Sequence, residues 1–111
     1  MAKFIKGDVV VVPFPFSDLT QTKRRPALVI STLEESNDLI LCQITSKNIK
    51  DNISISLNNE DFQEGSLKQP SNIRPNRIFT ADSNLILYRI GNIKEEKLKE
   101  VIEKIIEVIS S

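Results

Sequence analysis

The chain has no histidine, no tryptophan, one cysteine, one tyrosine and three glycines among 111 residues. Each shortage excludes something. Without histidine, proton transfer at neutral pH lacks the side chain that ordinarily performs it. With Cys42 alone, no intrachain disulfide and no cysteine cage for zinc is possible. A transition-metal site would have to rest on carboxylates, so neither metal nor cofactor is expected. With Tyr88 as the single tyrosine, extensive stacking of bases on aromatic rings is not evident. Apolar runs such as Val9–Val12 and Leu39–Cys42 are far too short to cross a bilayer. The opening Met1-Ala2-Lys3-Phe4-Ile5-Lys6 lacks the apolar core of an export signal, and a cytoplasmic protein is expected.

Charge of either sign is not in excess: lysine plus arginine and aspartate plus glutamate number 15 each. That balance argues against a protein that coats nucleic acid by bulk attraction. Local contact stays open because the charges are unevenly placed. Lys23, Arg24, Arg25, Arg74, Arg77 and Arg89 contrast with an acidic loop, Asn59-Glu60-Asp61-Phe62-Gln63-Glu64. The length suits one domain over residues 1–111, large enough to bury a core without staples.

Short β-rich runs lie between turn signals at Asp8–Val12, Pro26–Ser31, Leu39–Thr45, Ile53–Leu57, Ser71–Arg74, Arg77–Ala81 and Leu87–Ile90. Ile53–Leu57 alternates strictly, as a strand with one wet face does, whereas Leu39–Cys42 reads as buried on both faces. Gly91-Asn92 reads as a break. From Lys94 to Ile109, the residues Leu98, Val101, Ile102, Ile105 and Ile109 fall at helical spacing. Ile106 and Val108 lie off that stripe, packing on loops or meeting another subunit. The expected fold is mainly β: a strongly curved antiparallel sheet or barrel capped by a C-terminal helix.

Lys23-Arg24-Arg25-Pro26-Ala27-Leu28-Val29-Ile30-Ser31 is the most informative segment. Proline suits the first residue of a strand, because it lacks the N–H a central ladder needs. The three cations are thus tied to a rigid element, where they can grip an anion in one geometry. Upstream, Gly7-Asp8-Val9-Val10-Val11-Val12-Pro13 forms a second such unit. Between the two runs a long loop from Phe14 to Arg25, and loops this long in small domains tend to carry function.

The stretch GDVVVVPFPFSDLTQTKRRPALVIS resembles the opening of the MazF/PemK toxins of type II toxin–antitoxin systems. The resemblance continues through Cys42-Gln43-Ile44-Thr45-Ser46, through Ser71-Asn72-Ile73-Arg74 to Asp82, and into the terminal helix. It implies an SH3-like barrel and a metal-independent, sequence-selective endoribonuclease (an mRNA interferase) acting on single-stranded mRNA. It implies products with 2′,3′-cyclic phosphate and 5′-hydroxyl ends, a homodimer, and a cognate antitoxin that blocks the RNA site. The same fold also serves toxins that poison DNA gyrase without cleaving RNA.

By resemblance Arg25 takes the catalytic arginine position and Thr45 the active-site threonine position. The guanidinium of Arg25 offers a permanent charge and a fork of donors matching two phosphate oxygens. The Thr45 hydroxyl either faces the reacting phosphate or caps the turn that begins at Ser46. Contacts to RNA are expected from Asp18, Thr20, Gln21, Thr22, Lys23, Arg24, Ser46, Arg74, Arg77 and Asp82. Phe79 stands near the place where the family often carries an arginine. Either Arg74 or Arg77 supplies that charge, or Phe79 stacks a base; Asp82 orients an arginine, accepts a proton, or caps a turn. Phe14 and Phe16 read as core residues.

Overall fold

The computed structural model describes residues 4–14, 23–47, 49 and 51–111, with the side chains of Phe14 and Lys23 outside the description. Among the described residues there are seven strands: β1 Asp8–Phe14, β2 Lys23–Thr32, β3 Asp38–Thr45, β4 Ile55–Leu57, β5 Phe62–Glu64, β6 Ser71–Asp82 and β7 Tyr88–Ile93. An α-helix, α1 Glu95–Ser110, follows. All ladders are antiparallel, and the strands lie in the order β4-β6-β3-β2-β1-β7-β5.

The chain forces this sheet to curl. Its two edge strands, β4 and β5, are consecutive in sequence, joined only by a 3₁₀ turn at Asn59–Asp61. The few residues from Leu57 to Phe62 span at most about 18 Å. Edges of a flat seven-stranded sheet would stand about 29 Å apart at ~4.8 Å per strand. The result is a half-barrel. Among the described residues no ladder joins β4 to β5, and α1 covers the seam. Lys97 on α1 donates from Nζ to the Ser56 carbonyl beside one edge at 3.2 Å and pairs with Asp61 beside the other at 3.7 Å.

Alternation along the strands divides the apolar residues between two faces. The inner face gathers Val9, Leu28, Cys42, Ile44, Ile55, Leu57, Phe62, Ile73 and Ile93 under Val101 and Ile105 of the helix. The outer face holds Val10, Val12, Ala27, Val29, Leu39 and Leu41, with Phe4, Phe79 and Ile86 packed on it. The two-sided burial expected for Leu39–Cys42 is therefore present, and Ile55–Leu57 keeps one exposed position, Ser56.

Several expected boundaries are corrected. Ser71–Arg74 and Arg77–Ala81 are one strand, because Pro75 and Asn76 fall where the β3–β6 ladder shifts register between Cys42 and Ile44. No ladder donor is needed there, so proline is tolerated. Pro26 lies inside β2 rather than at its start: it pairs with Val11, while β2–β3 pairing begins only at Ala27. Gly91-Asn92 is not a break but part of β7, next to a bulge opposite Val9 and Val10. The acidic loop contains β5, anchored by buried Phe62. Residues 51–53 form a bend, and residue 54 lies outside the ladder that begins with β4. On the helix, Ile109 is 71% exposed and joins no core; Ile106 is exposed beside it.

Candidate functional site

At the mouth of the inner face a cleft of about 460 Å³ opens. Strand register builds its floor. Val11 pairs with Pro26 on one side and with Tyr88 on the other, so the three side chains form a row across β2, β1 and β7. Continuing the Ala27–Gln43 register by one place sets Ile44 beside Pro26, and all four residues line the cleft. Arg24 alternates onto the same face as Pro26. Arg25 and Thr45 alternate to the other face and line the cleft at its lip, where β3 ends. The same register, continued by two places, sets Arg25 opposite Thr45.

Arg25 is half-buried, and its Nε is buried without a hydrogen-bond partner among the described residues. Such an orphaned cationic donor is costly unless an anion meets it. Thr45 is buried, and its Oγ1 accepts from the Lys47 backbone N–H at 3.2 Å, so the hydroxyl does cap the turn. The turn is braced further by Asn72, which donates from Nδ2 to the Lys47 carbonyl at 3.0 Å. Ser46 is exposed on the lip.

The opposite wall is the segment after β5, contributing Ser66, Leu67, Lys68 and Gln69. Its position depends on Gly65 and Gly91, which pack backbone to backbone. Gly65 has φ +80°, and a Cβ on either glycine would run into the other segment's carbonyl. An ion-pair chain fastens the same segment: Arg89 donates to Glu64 at 2.7 Å and to Asp8 at 3.0 Å. Buried Asp8 also accepts from Asn92 Nδ2 and from the Ile5 N–H, each at 2.9 Å. These bonds hold the Arg89 guanidinium above its ordinary pKa, Glu64 contributing first and Asp8 second. Arg89, counted in the sequence among the available cations, is thus engaged by part of the acidic segment set against it.

Of the residues singled out in the sequence, the structure brings Arg24, Arg25, Thr45 and Ser46 to one cleft. Asp18, Thr20, Gln21 and Thr22 lie outside the described residues, as do Phe16 and the side chains of Phe14 and Lys23. Arg74, Arg77 and Asp82 do not line the cleft. Arg74 lies half-buried near Asp51, whose carboxyl is held low first by the Ser54 backbone N–H and more weakly by the Arg74 charge. The Arg74 carbonyl accepts from Cys42 Sγ at 2.8 Å, filling the gap left by the bulge. Arg77 is exposed. Asp82 pairs with Asp38 at the far end of β3, roughly 20 Å along the strand from Thr45, and accepts from the Asn84 N–H at 2.8 Å as a turn cap. Phe79 packs on the outer cluster.

Lys68, Gln69 and Tyr88 escaped the sequence reading. The turn glycine before the wall was a usable signal; nothing in the run Ser66-Leu67-Lys68-Gln69 itself points to a site.

A curled antiparallel half-barrel, a helix over its seam and a cationic cleft at its mouth define a small, mainly β domain with a site suited to an anion. Residues 5–109 match the model of the PemK-like, MazF-like toxins of type II toxin–antitoxin systems, and the chain belongs to that family. Among curated proteins none matches it in sequence. Solved structures that it resembles include a chain of the MazE–MazF structure from Deinococcus radiodurans, with TM-score 0.76 and 19% identity over 95% of this chain and 94% of that one. The Mycobacterium tuberculosis toxin MazF-mt6 superposes with TM-score 0.71 and 17% identity over 93% and 96% of the two chains. A mycobacterial endoribonuclease in complex with its cognate antitoxin gives TM-score 0.74 and 9% identity over 97% and 96%. At these identities the likeness establishes the fold.

Proposed function

We propose that this toxin is an endoribonuclease cleaving single-stranded mRNA at selected sequences without a metal. The observation that carries the reading is the charge of the cleft. In a chain of zero net charge, Arg24, Arg25 and Lys68 line it and, among the described residues, no carboxylate does. Such a site suits a phosphodiester whose charge grows during reaction.

In the reaction the ribose 2′-oxygen loses its proton and attacks the adjacent phosphorus. The O2′–P bond forms, the P–O5′ bond breaks, and the 5′-oxygen takes a proton, leaving 2′,3′-cyclic phosphate and 5′-hydroxyl ends. Arg25 supports the pentacoordinate phosphoryl group with its fork of donors, acting through charge and geometry rather than as the principal acid. Thr45 and Ser46 hydroxyls orient the phosphate at the lip. With no histidine in the chain, solvent carries the protons and the rate comes from positioning and charge stabilisation. The donor set suits a metal poorly: among the described residues no three cysteine, aspartate or glutamate side chains converge.

In the same reading the toxin is a cytoplasmic homodimer, and an antitoxin occupies the cleft to exclude RNA. Incubating purified toxin with end-labelled single-stranded RNA in excess EDTA tests the activity. Cleavage to cyclic phosphate ends is expected. No cleavage in chelator, with recovery on adding Mg²⁺ or Mn²⁺, overturns the metal-free mechanism. No cleavage in either condition, with inhibition of gyrase, favours the gyrase-poisoning toxins of this fold.

A further inference from the structure

We propose that Tyr88 is the seat on which one base of the bound single strand stacks. This rests on the reading of the cleft as an RNA site and names a residue that determines how the strand lies in it. An exposed tyrosine is ordinarily just a wet surface residue, but this one is placed differently. It is 54% exposed, yet it lines the cleft at the end of the Pro26–Val11–Tyr88 row. Among the described residues it is also the only aromatic side chain lining the cleft.

The floor under a ligand is therefore apolar: a tyrosine ring and a proline ring separated by a valine, about 10 Å apart across two strand spacings. Around that floor stand Arg24, Arg25 and Lys68 with, among the described residues, no acidic side chain. A ligand must offer a flat apolar face together with negative charge, as a nucleotide does and an acidic peptide does only in part. Stacking on an aromatic ring tolerates any base, because every base has a π-face. Sequence selection then falls to polar neighbours such as Gln69, while Tyr88 fixes where one base lies. Neighbouring Arg89 is tied to Asp8 and Glu64, which holds the strand that carries the ring.

The composition supplies its own probe. With no tryptophan and a single tyrosine, tyrosine fluorescence of this protein comes from Tyr88 alone. Fully 2′-O-methylated single-stranded RNA binds without being cleaved, since the attacking oxygen is blocked. Titrating it should quench the emission, while an abasic strand of equal length should bind more weakly and quench little. Tyr88→Ala should weaken binding of the methylated strand by about tenfold or more, measured by anisotropy of a labelled strand. Tyr88→Phe, which keeps the ring, should recover most of that loss.

Binding without quenching, equal quenching by the abasic strand, or full affinity in Tyr88→Ala each overturns the stacking role. So does quenching by an acidic peptide but not by RNA, which assigns the ring to a protein partner. Cleavage of unmodified RNA without quenching removes this proposal alone. Quenching without cleavage removes the nuclease reading alone, and failure to bind any RNA removes both.

Discussion

Arg89 Nε and Asp8 Oδ1 meet at 3.0 Å across the β1–β7 ladder, joining the buried start of one strand to the strand that carries Tyr88. The Gly7-Asp8 pair thus has a structural use. Asp8 receives three donors in a site where it is almost wholly buried, whereas Glu64, the other partner of Arg89, is largely exposed. Asp8→Ala should lower unfolding free energy by about 2–3 kcal/mol, because the donors of Ile5 and Asn92 lose their acceptor. Glu64→Gln should cost less than about 1 kcal/mol, as exposed pairs do. Urea denaturation of both variants checks the difference, and equal midpoints would show that Asp8 is not the anchor.

Arg25→Ala should reduce RNA cleavage by about 100-fold or more, the usual loss when a charged donor to the transition state is removed. Arg25→Lys should stay severely impaired, since a point charge cannot reproduce two parallel N–H donors. Stability should not fall in either, because Arg25 Nε already lacks a partner among the described residues. Single-turnover rates at saturating RNA are the measurement. Near-native rates in the alanine variant would remove Arg25 from the mechanism.

Much of the fold was legible from alternation and turn chemistry, and the failures have physical causes. Two-sided burial at Leu39–Cys42 and the core stripe Leu98, Val101, Ile105 follow directly from residue pattern. Pro75 and Gly91 read as interruptions because a lone sequence cannot show a bulge. In the fold both fall beside ladder irregularities, where a missing N–H or a missing Cβ is wanted. β5 escaped because three residues carry too little pattern, and only its contacts with β7 define it. In the cleft, Arg25 and Thr45 were visible through family resemblance, and the structure places both in its lining. Lys68 and Tyr88 were not visible, because their place depends on how the two sheet edges curl toward each other.

Cys42 should make stability fall in alkali. Burial pushes its thiol from 9.0 up to about 12, against a smaller opposing effect of its bond to the Arg74 carbonyl. The unfolded thiol ionises first, so the folded state holds the extra proton between those values. Its contribution is therefore complete below pH 9 and is lost as pH rises toward about 12, by at most ~1.4 kcal/mol per pH unit. Cys42→Ala should show a shallower decline over that window. Urea midpoints on either side of it decide the matter, and parallel declines in the two proteins would exclude the thiol. Reaction with a thiol reagent should likewise wait for unfolding.

The proposed mechanism gives Thr45 a second duty beside its turn hydrogen bond, and substitution can separate the two. Its Oγ1 accepts from the Lys47 N–H at 3.2 Å, which shapes the turn at the lip, and like Arg25 it lines the cleft. Thr45→Ser keeps a hydroxyl for both duties and should retain most of the cleavage rate. Thr45→Val keeps the shape but leaves the Lys47 N–H without its side-chain acceptor. If the hydroxyl touches the reacting phosphate, Thr45→Val should slow single-turnover cleavage by about tenfold or more while RNA affinity changes little. A rate near that of the native toxin combined with weaker binding would make Thr45 a shaper of the turn and leave the phosphate to Arg25 and Ser46. Fluorescence anisotropy with 2′-O-methylated RNA gives the affinity, and quenched-flow cleavage of the unmodified strand gives the rate.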